Sequence, residues 1–189
     1  MIDIGTGDGR FVAASAKSNP NRFFIGVDAN VKPLEKPSMK ATRKPSKGGL
    51  PNVLFVQAAV ENLPDEFKGI ANEIYVNFPW GSLLRAVATA DETVICGLHR
   101  VAEQNCTLEI NLGIDTERDK TEIERLGIPF LTENYIQNTL LPAYQSLGFK
   151  YLRHHHLETK EWRKIETSWA KKLQGGSGRR LTRLVFRAT

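Results

Sequence analysis

A short apolar segment, Met1-Ile2-Asp3-Ile4, runs directly into Gly5-Thr6-Gly7-Asp8-Gly9 and then into Phe11, Val12, Ala14 and Ala16, which recur as one face of a helix. Alternate glycines between a strand and a helix allow a sharp backbone bend and close approach of a ligand to main-chain N–H groups. They restrict the chain to folds in which a strand exits into such a turn. The same alternation continues downstream. Phe23 to Val27 reads as a strand ending at Asp28, Val53 to Val56 as a third and Ile74 to Val76 as a fourth. Between the second and third, residues 30–44 have helical character with breaks expected at Pro33 and Pro37, and Lys47-Gly48-Gly49 is a loop. Strands separated by helices at this pitch predict βαβ units and a mostly parallel central sheet with helices on both faces.

Leu83 to Ala90 and residues 91–104 read as helices, Thr107 to Leu112 as a fifth strand, and Thr132 to Leu147 as a helix stopped at Gly148. The last two strands, Lys150–Leu157 and Leu181–Arg187, have no apolar helix between them, so an antiparallel hairpin at one edge is expected. The basic connection joining them is too long for an idle turn. At 189 residues and 41% apolar, residues 1–189 are expected to form a single domain. No segment approaches a membrane span, and Asp3 and Asp8 interrupt any signal-peptide core. Cys96 and Cys106 lack metal-type spacing and read as reduced thiols of a cytoplasmic protein. His154-His155-His156 alternates faces along a strand, so no metal role is assigned to it.

An acid two residues before the first glycine suits a cationic amino acid better than a pyrophosphate, which it would repel. S-adenosylmethionine, with its ammonium and sulfonium, fits that charge. A dinucleotide does not, and Arg10 stands where the dinucleotide motif needs its third glycine. Asp3, Gly5, Thr6 and Gly7 are therefore candidate cofactor contacts. Asp28, closing the second strand, can accept from both ribose hydroxyls, or cap a helix. Beyond the third strand, Ala58, Ala59 and Val60 leave room for an adenine ring, and Glu61 can meet its edge or be a solvated loop charge.

Asn77-Phe78-Pro79-Trp80, continuing into Gly81-Ser82-Leu83-Leu84, is a poor ending for a core strand. Pro79 cannot donate to a sheet and Trp80 projects from the turn, where a flat ring can stack on a flat ligand. Asn77, Phe78 and Ser82 join the cofactor candidates. Methylating an adenine ring nitrogen needs no general base, because the N1 lone pair of the neutral base is already nucleophilic. Alignment is the main task, and planes that grip the base are the main catalytic parts. Trp80 and Trp169 are the candidates for a clamp on a flipped base, with the Pro79 carbonyl as an acceptor for its exocyclic amine. Trp162 reads as packing.

Charge is uneven. Residues 158–189 hold nine Lys/Arg against three Glu, an excess larger than the +5 of the whole chain, and Lys32 to Lys47 adds a second basic run. Two basic runs on a nearly neutral body point to a polyanion. Thr167, Ser168, Lys171, Lys172, Arg179 and Arg180 are the candidate RNA contacts, with Arg183 and Arg187 on phosphates or on an exposed strand face.

Asp3-Ile4-Gly5-Thr6-Gly7-Asp8-Gly9-Arg10-Phe11-Val12, Asn19-Pro20, Ile25-Gly26-Val27-Asp28-Ala29, the Ala58–Pro64 loop and Asn77 to Leu84 closely resemble the aminoglycoside-resistance methyltransferases of small-subunit ribosomal RNA, which modify N1 of adenine 1408 in the decoding site of 16S rRNA. The Phe-Pro-Trp-Gly element and Thr167-x-Trp169 are the specific part of a likeness that spans most of the chain. It implies a class I S-adenosylmethionine-dependent methyltransferase fold, assembled 30S subunits as substrate, resistance of the kanamycin and apramycin type, and a monomer. It places the cofactor against Asp3, Gly5, Asp28, Val60, Glu61 and Asn77 to Ser82, and the adenine between Trp80 and Trp169. The chain starts two residues before Asp3, so the family's N-terminal hairpin and most of its first strand have no counterpart in it, which bears on RNA docking. Gly175-Gly176-Ser177-Gly178 blurs which downstream arginine matches which.

A tRNA guanine-N7 methyltransferase is the nearest alternative, sharing the Asn-Pro and Gly-Val-Asp features. It is expected to carry Asp-Pro-Trp-Pro and a charged run after Asn-Phe, where this chain has Pro79-Trp80-Gly81-Ser82 and leucines. A non-catalytic RNA-binding protein of the same fold is the alternative from another class, opposed by Asp3, the glycines, Asp28 and both tryptophans.

Overall fold

The structure, a computed structural model, describes residues 1–115, 117–157, 161, 165–168, 170 and 181–189. Its strands are β1 (Ile2–Ile4), β2 (Phe24–Asp28), β3 (Val53–Gln57), β4 (Ala71–Asn77), β5 (Ala102–Leu112), β6 (Phe149–Leu157) and β7 (Leu181–Ala188). They form one sheet in the order β3-β2-β1-β4-β5-β7-β6. The first five run parallel, and β7 is antiparallel to both β5 and β6. The expected antiparallel pair is present, with β7 inside it and β6 at the edge.

Two apolar layers sandwich the sheet. On one face, α1 (Arg10–Ser18) lays Val12 and Ala16 on Met1 and Phe24, with Phe11 edge-on to Tyr75 at 5.1 Å. On the other, α3 (Gly81–Thr89), α4 (Glu92–Val101) and α7 (Leu141–Ser146) bury Leu84, Val87, Ile95, Leu98 and Tyr144 against Ile2, Ile4, Ile74, Val76, Leu108 and Ile110. This is the class I methyltransferase architecture, with helices on both faces.

Three local readings are corrected. Helix α2 (Val31–Ala41) runs through both prolines instead of breaking. Asn30 caps it, so Pro33 falls in the first turn, where N–H groups have no intrahelical partner, and only Pro37 removes a bond. A short helix, α5 (Lys120–Leu126), occupies a stretch that carried no assigned element; only Ile123 of it is buried, too little for an apolar period. The helix expected over 132–147 is continuous but mixed: α6 (Glu133–Tyr135), a π turn over Ile136–Leu140, then α7. Pro142 cannot donate to the preceding turn, and the Leu141 N–H reaches back five residues to the Ile136 carbonyl.

Candidate active site

Connections leave β1 toward β2 on one side and return through β4 on the other, which opens a crevice at the carboxyl ends of these strands. A cavity of about 400 Å³ fills it. All eleven cofactor candidates line it: Asp3, Gly5, Thr6, Gly7, Asp28, Ala59, Val60, Glu61, Asn77, Phe78 and Ser82. Pro79, Trp80, Thr167 and Ser168 line it as well. Trp169, Lys171, Lys172, Arg179 and Arg180 lie outside the described residues, as does Trp162.

The glycine turn is tied to β2. The Gly5 and Thr6 N–H groups donate to the Val27 carbonyl at 2.8 and 2.9 Å. Gly5, Gly7 and Gly9 all have positive φ; a Cβ on Gly5 would strike Leu83 at 2.7 Å and one on Gly9 would strike Phe55 at 2.4 Å. Asp28 does more than wait for a ribose: its Oδ2 accepts from the Gly7 N–H at 2.8 Å and its Oδ1 from Asn30 at 2.9 Å. Each oxygen keeps a further lone pair for a hydroxyl.

Asp3 is 2% exposed, and its Oδ1 accepts from Asn77 Nδ2 at 3.1 Å. Burial pushes its carboxyl up to about 7; the Thr6 and Asn77 side chains pull the other way and the Asp28 charge adds to the rise. The Thr6 Oγ1 is buried near the Asp3 carboxyl and, among the described residues, meets no partner in full hydrogen-bond geometry. A buried acid and an under-bonded hydroxyl on one wall suit a ligand that is cationic and polar at this end.

Phe78 lines the cavity and is also anchored beneath it. It packs as core, 4% exposed, with Leu157, Ile165, Ala170 and Leu181, and its N–H donates to the Asn111 carbonyl at 2.8 Å. Its φ of 49° is a conformation that bulky residues avoid, at a cost of order 1–3 kcal/mol. That geometry buries Phe78 and turns Trp80 outward; Trp80 is 40% exposed at the rim. Across the cavity Ser168 donates to Asp8 Oδ2, and Thr167 Oγ1 accepts from Ala170. Ser168 is thus bonded to the glycine turn.

Arg183 does not stand on a fully exposed strand face. Its Nε donates to Asn111 Oδ1 at 2.9 Å and lies 3.1 Å from Glu109 Oε1, with its side chain 17% exposed along the sheet. Arg187 is exposed.

Gly97, in α4, gave no sequence signal. A Cβ there would sit 2.6 Å from the Val60 carbonyl, so the glycine admits the Val60–Asn62 turn that forms one cavity wall. Gly→Ala inside a helix ordinarily stabilises by about 1 kcal/mol. Gly97→Ala is expected to reverse that sign, losing about 1–3 kcal/mol through overpacking. Urea unfolding of both proteins checks it; an unchanged or raised midpoint would show that the turn yields freely.

With this geometry in place, comparison with known proteins decides the family. The family model described as NpmA, 16S rRNA (adenine(1408)-N(1))-methyltransferase, matches residues 1–188. The chain belongs to that family. A 16S rRNA (adenine(1408)-N(1))-methyltransferase of Escherichia coli is 35% identical over 184 residues, covering 97% of this chain and 84% of the relative. The crystal structure of the aminoglycoside resistance methyltransferase NpmB1 matches with a TM-score of 0.88 and 49% identity, over 100% of this chain and 86% of that one. A variant of the family's enzyme from Catenulisporales acidiphilia, crystallised with cosubstrate SAM, gives a TM-score of 0.90 at 32% identity over 100% and 84%. By contrast, a tRNA (guanine-N(7)-)-methyltransferase of Clostridioides difficile matches over 82 residues, 42% of this chain and 36% of its own. The family members are methyltransferases of 16S rRNA. Among the described residues no helix is long and apolar enough to cross a membrane, and no cluster of metal-ligating side chains is present.

Proposed function

We propose that the chain transfers the methyl group of S-adenosylmethionine to N1 of adenine 1408 in 16S rRNA of the 30S subunit, giving resistance to aminoglycosides of the kanamycin and apramycin type. The observation that carries this reading is a single cavity joining a buried acid beside a glycine turn to an outward-turned tryptophan, in a chain whose family does this chemistry.

S-adenosylmethionine supplies an electrophilic methyl and a good leaving group. The protein's share is orientation. Asp3 holds the ammonium, Asp28 accepts from the ribose hydroxyls through lone pairs its backbone bonds leave, and Ala59, Val60 and Glu61 flank the adenine. Trp80 and Trp169 enclose the target base, the Pro79 carbonyl accepts from its exocyclic amine, and Thr167 and Ser168 hold the segment that closes over it. Neutral N1 attacks unaided, so the site needs no general base; its contribution is alignment. Lys171, Lys172, Arg179 and Arg180, with the Lys32–Lys47 run, bind phosphates and fix register. We place the enzyme in the cytoplasm, where assembled subunits are found, acting as a monomer.

The test is incubation of purified protein with 30S subunits and labelled S-adenosylmethionine, followed by reverse transcription. A stop next to adenine 1408 is expected, with no label in tRNA. Label in tRNA guanine would favour the N7 alternative, and no transfer to either RNA would favour the non-catalytic one.

A further inference from the structure

A row of polar side chains crosses the sheet face that α1 covers, where an apolar layer would be the simpler solution. Asn77 and Asn111 are register partners on β4 and β5, and Asn111 and Arg183 on β5 and β7. Asn111 Nδ2 donates to Asn77 Oδ1 at 2.8 Å and to Glu109 Oε1 at 2.9 Å. Its Oδ1 accepts from Arg183, and Asn77 Nδ2 donates to Asp3. Asn111 is fully buried and Asn77 nearly so.

The row has a sense. A guanidinium only donates and a carboxylate, when ionised, only accepts. Reversing Asn111 would aim its NH₂ at Arg183 and its carbonyl at Glu109, two repulsive contacts. With Asn111 fixed, Asn77 must present its carbonyl to Asn111 and its NH₂ to Asp3. The charged pair on β5 and β7 therefore dictates, through two amides, what Asp3 meets at the cavity wall.

We propose that Arg183, paired with Glu109, is a positioning residue for the methyl donor: acting through Asn111 and Asn77, it holds Asp3 as an acceptor for the donor's ammonium. This rests on the donor-binding reading above. Arg183 does not line the cavity. Removing its side chain leaves Asn111 Oδ1, two hydrogen bonds from Asp3, without that donor, and the Glu109 charge, three hydrogen bonds from Asp3, without that cation. Asp3 then keeps its proton to higher pH, and a protonated carboxyl is a poor acceptor for an ammonium. The other groups around Asp3 are Asp28 at the end of β2, Tyr75 beside it on β4, and Asp8, Arg10 and Glu61 around the cavity. None of them changes in the variants below.

Two readouts test it on the full chain: carbon-13 NMR titration of the Asp3 carboxyl without ligand, and calorimetric binding of S-adenosylhomocysteine from pH 6 to 9. Arg183→Met is expected to raise the Asp3 midpoint by about half a unit or more. Affinity at pH 7 should fall about threefold or more and recover toward the wild-type plateau at high pH. Arg183→Lys, and Arg183→Met combined with Glu109→Gln, should lie between, because each restores the charge balance in part. A merely structural residue would weaken binding equally at every pH; that result, or unchanged midpoint and affinity, overturns the proposal. Arg183→Lys keeps the test alive if the methionine variant is poorly folded. Absence of binding by the wild-type protein would instead sink the donor reading, while the NMR midpoints still judge the coupling from Arg183 to Asp3.

Discussion

Trp80→Ala is expected to slow methyl transfer to 30S subunits by roughly 5- to 150-fold, the equivalent of the 1–3 kcal/mol that stacking of one base on an aromatic ring is worth. Affinity for S-adenosylhomocysteine should change little, because the ring stands at the cavity rim, 40% exposed, while the donor candidates line its floor. Trp80→Phe should keep a large part of the rate, since a plane remains. Single-turnover kinetics with 30S subunits in excess would measure this, alongside calorimetry for the donor. The backbone of this segment argues for the split. Phe78 is anchored in its own apolar cluster at a φ of 49°, so truncating the next ring but one leaves the strand exit in place. If Trp80→Ala transferred methyl groups at the wild-type rate, the base would have to be gripped elsewhere. If it lost donor affinity to the same degree as rate, the ring would belong to the cofactor site.

Asp3→Ala is expected to act on the other ligand. Truncating one partner of a buried charged hydrogen bond costs about 2–5 kcal/mol, so affinity for S-adenosylhomocysteine should fall roughly 30-fold or more. The pH dependence is the sharper signature. Burial raises the Asp3 carboxyl to about 7, and only the ionised form offers an ammonium an opposite charge; the protonated form is a poor acceptor. Wild-type affinity should therefore drop about tenfold for each pH unit below 7 and level off above it. In Asp3→Asn the profile should be flat across the same range at a lower affinity. The ligand-free protein should show the opposite trend in stability. A carboxyl raised on folding holds its proton between pH 4 and 7 while the unfolded chain has lost it, so this group's contribution is present at low pH and disappears as pH rises through 7. Asp3→Asn should lack that part of the fall when melting is followed from pH 5 to 8. A wild-type affinity independent of pH would mean that Asp3 does not meet the cation.

Much of the fold and the site could be read before any coordinates, for reasons that lie in particular residues. Glycines at positive φ, strand-ending Asp28 and the Pro79-Trp80 exit are local devices, and local devices are visible in a sequence. Their convergence on one cavity follows from the βαβ topology alone. What stayed hidden depends on contacts far apart in the chain. Phe78 looked wasted as core because its partners, Leu157, Ile165, Ala170 and Leu181, lie about eighty residues or more downstream. Gly97 sits in an ordinary helical pattern, and only the Val60 carbonyl pressed against it explains the missing side chain. Arg183 looked like one more cation of a basic region until β7 was seen to pair with β5, which puts it opposite Asn111. A signal for that row did exist: asparagines closing β4 and reaching the end of β5 are poor strand residues, and two at one register ask for a common explanation. Pro33 and Pro37 misled for the reverse reason. A proline rule was applied by residue type, when position within the helix decides its force.

The placement of β7 has a consequence for how this protein is made. The seventh strand in chain order is an interior one, flanked by β5 and β6, so neither neighbour has its full set of partners until Leu181–Ala188 has been synthesised. Until then β5 offers a long open edge, the kind of surface on which nascent chains stick to one another. The same arrangement clamps the connection between β6 and β7 at both ends to adjacent strands. Its interior can therefore be lengthened, shortened or recharged over evolution without reopening the sheet. An enzyme of this design can change what it grips while the part that holds its methyl donor stays as it was.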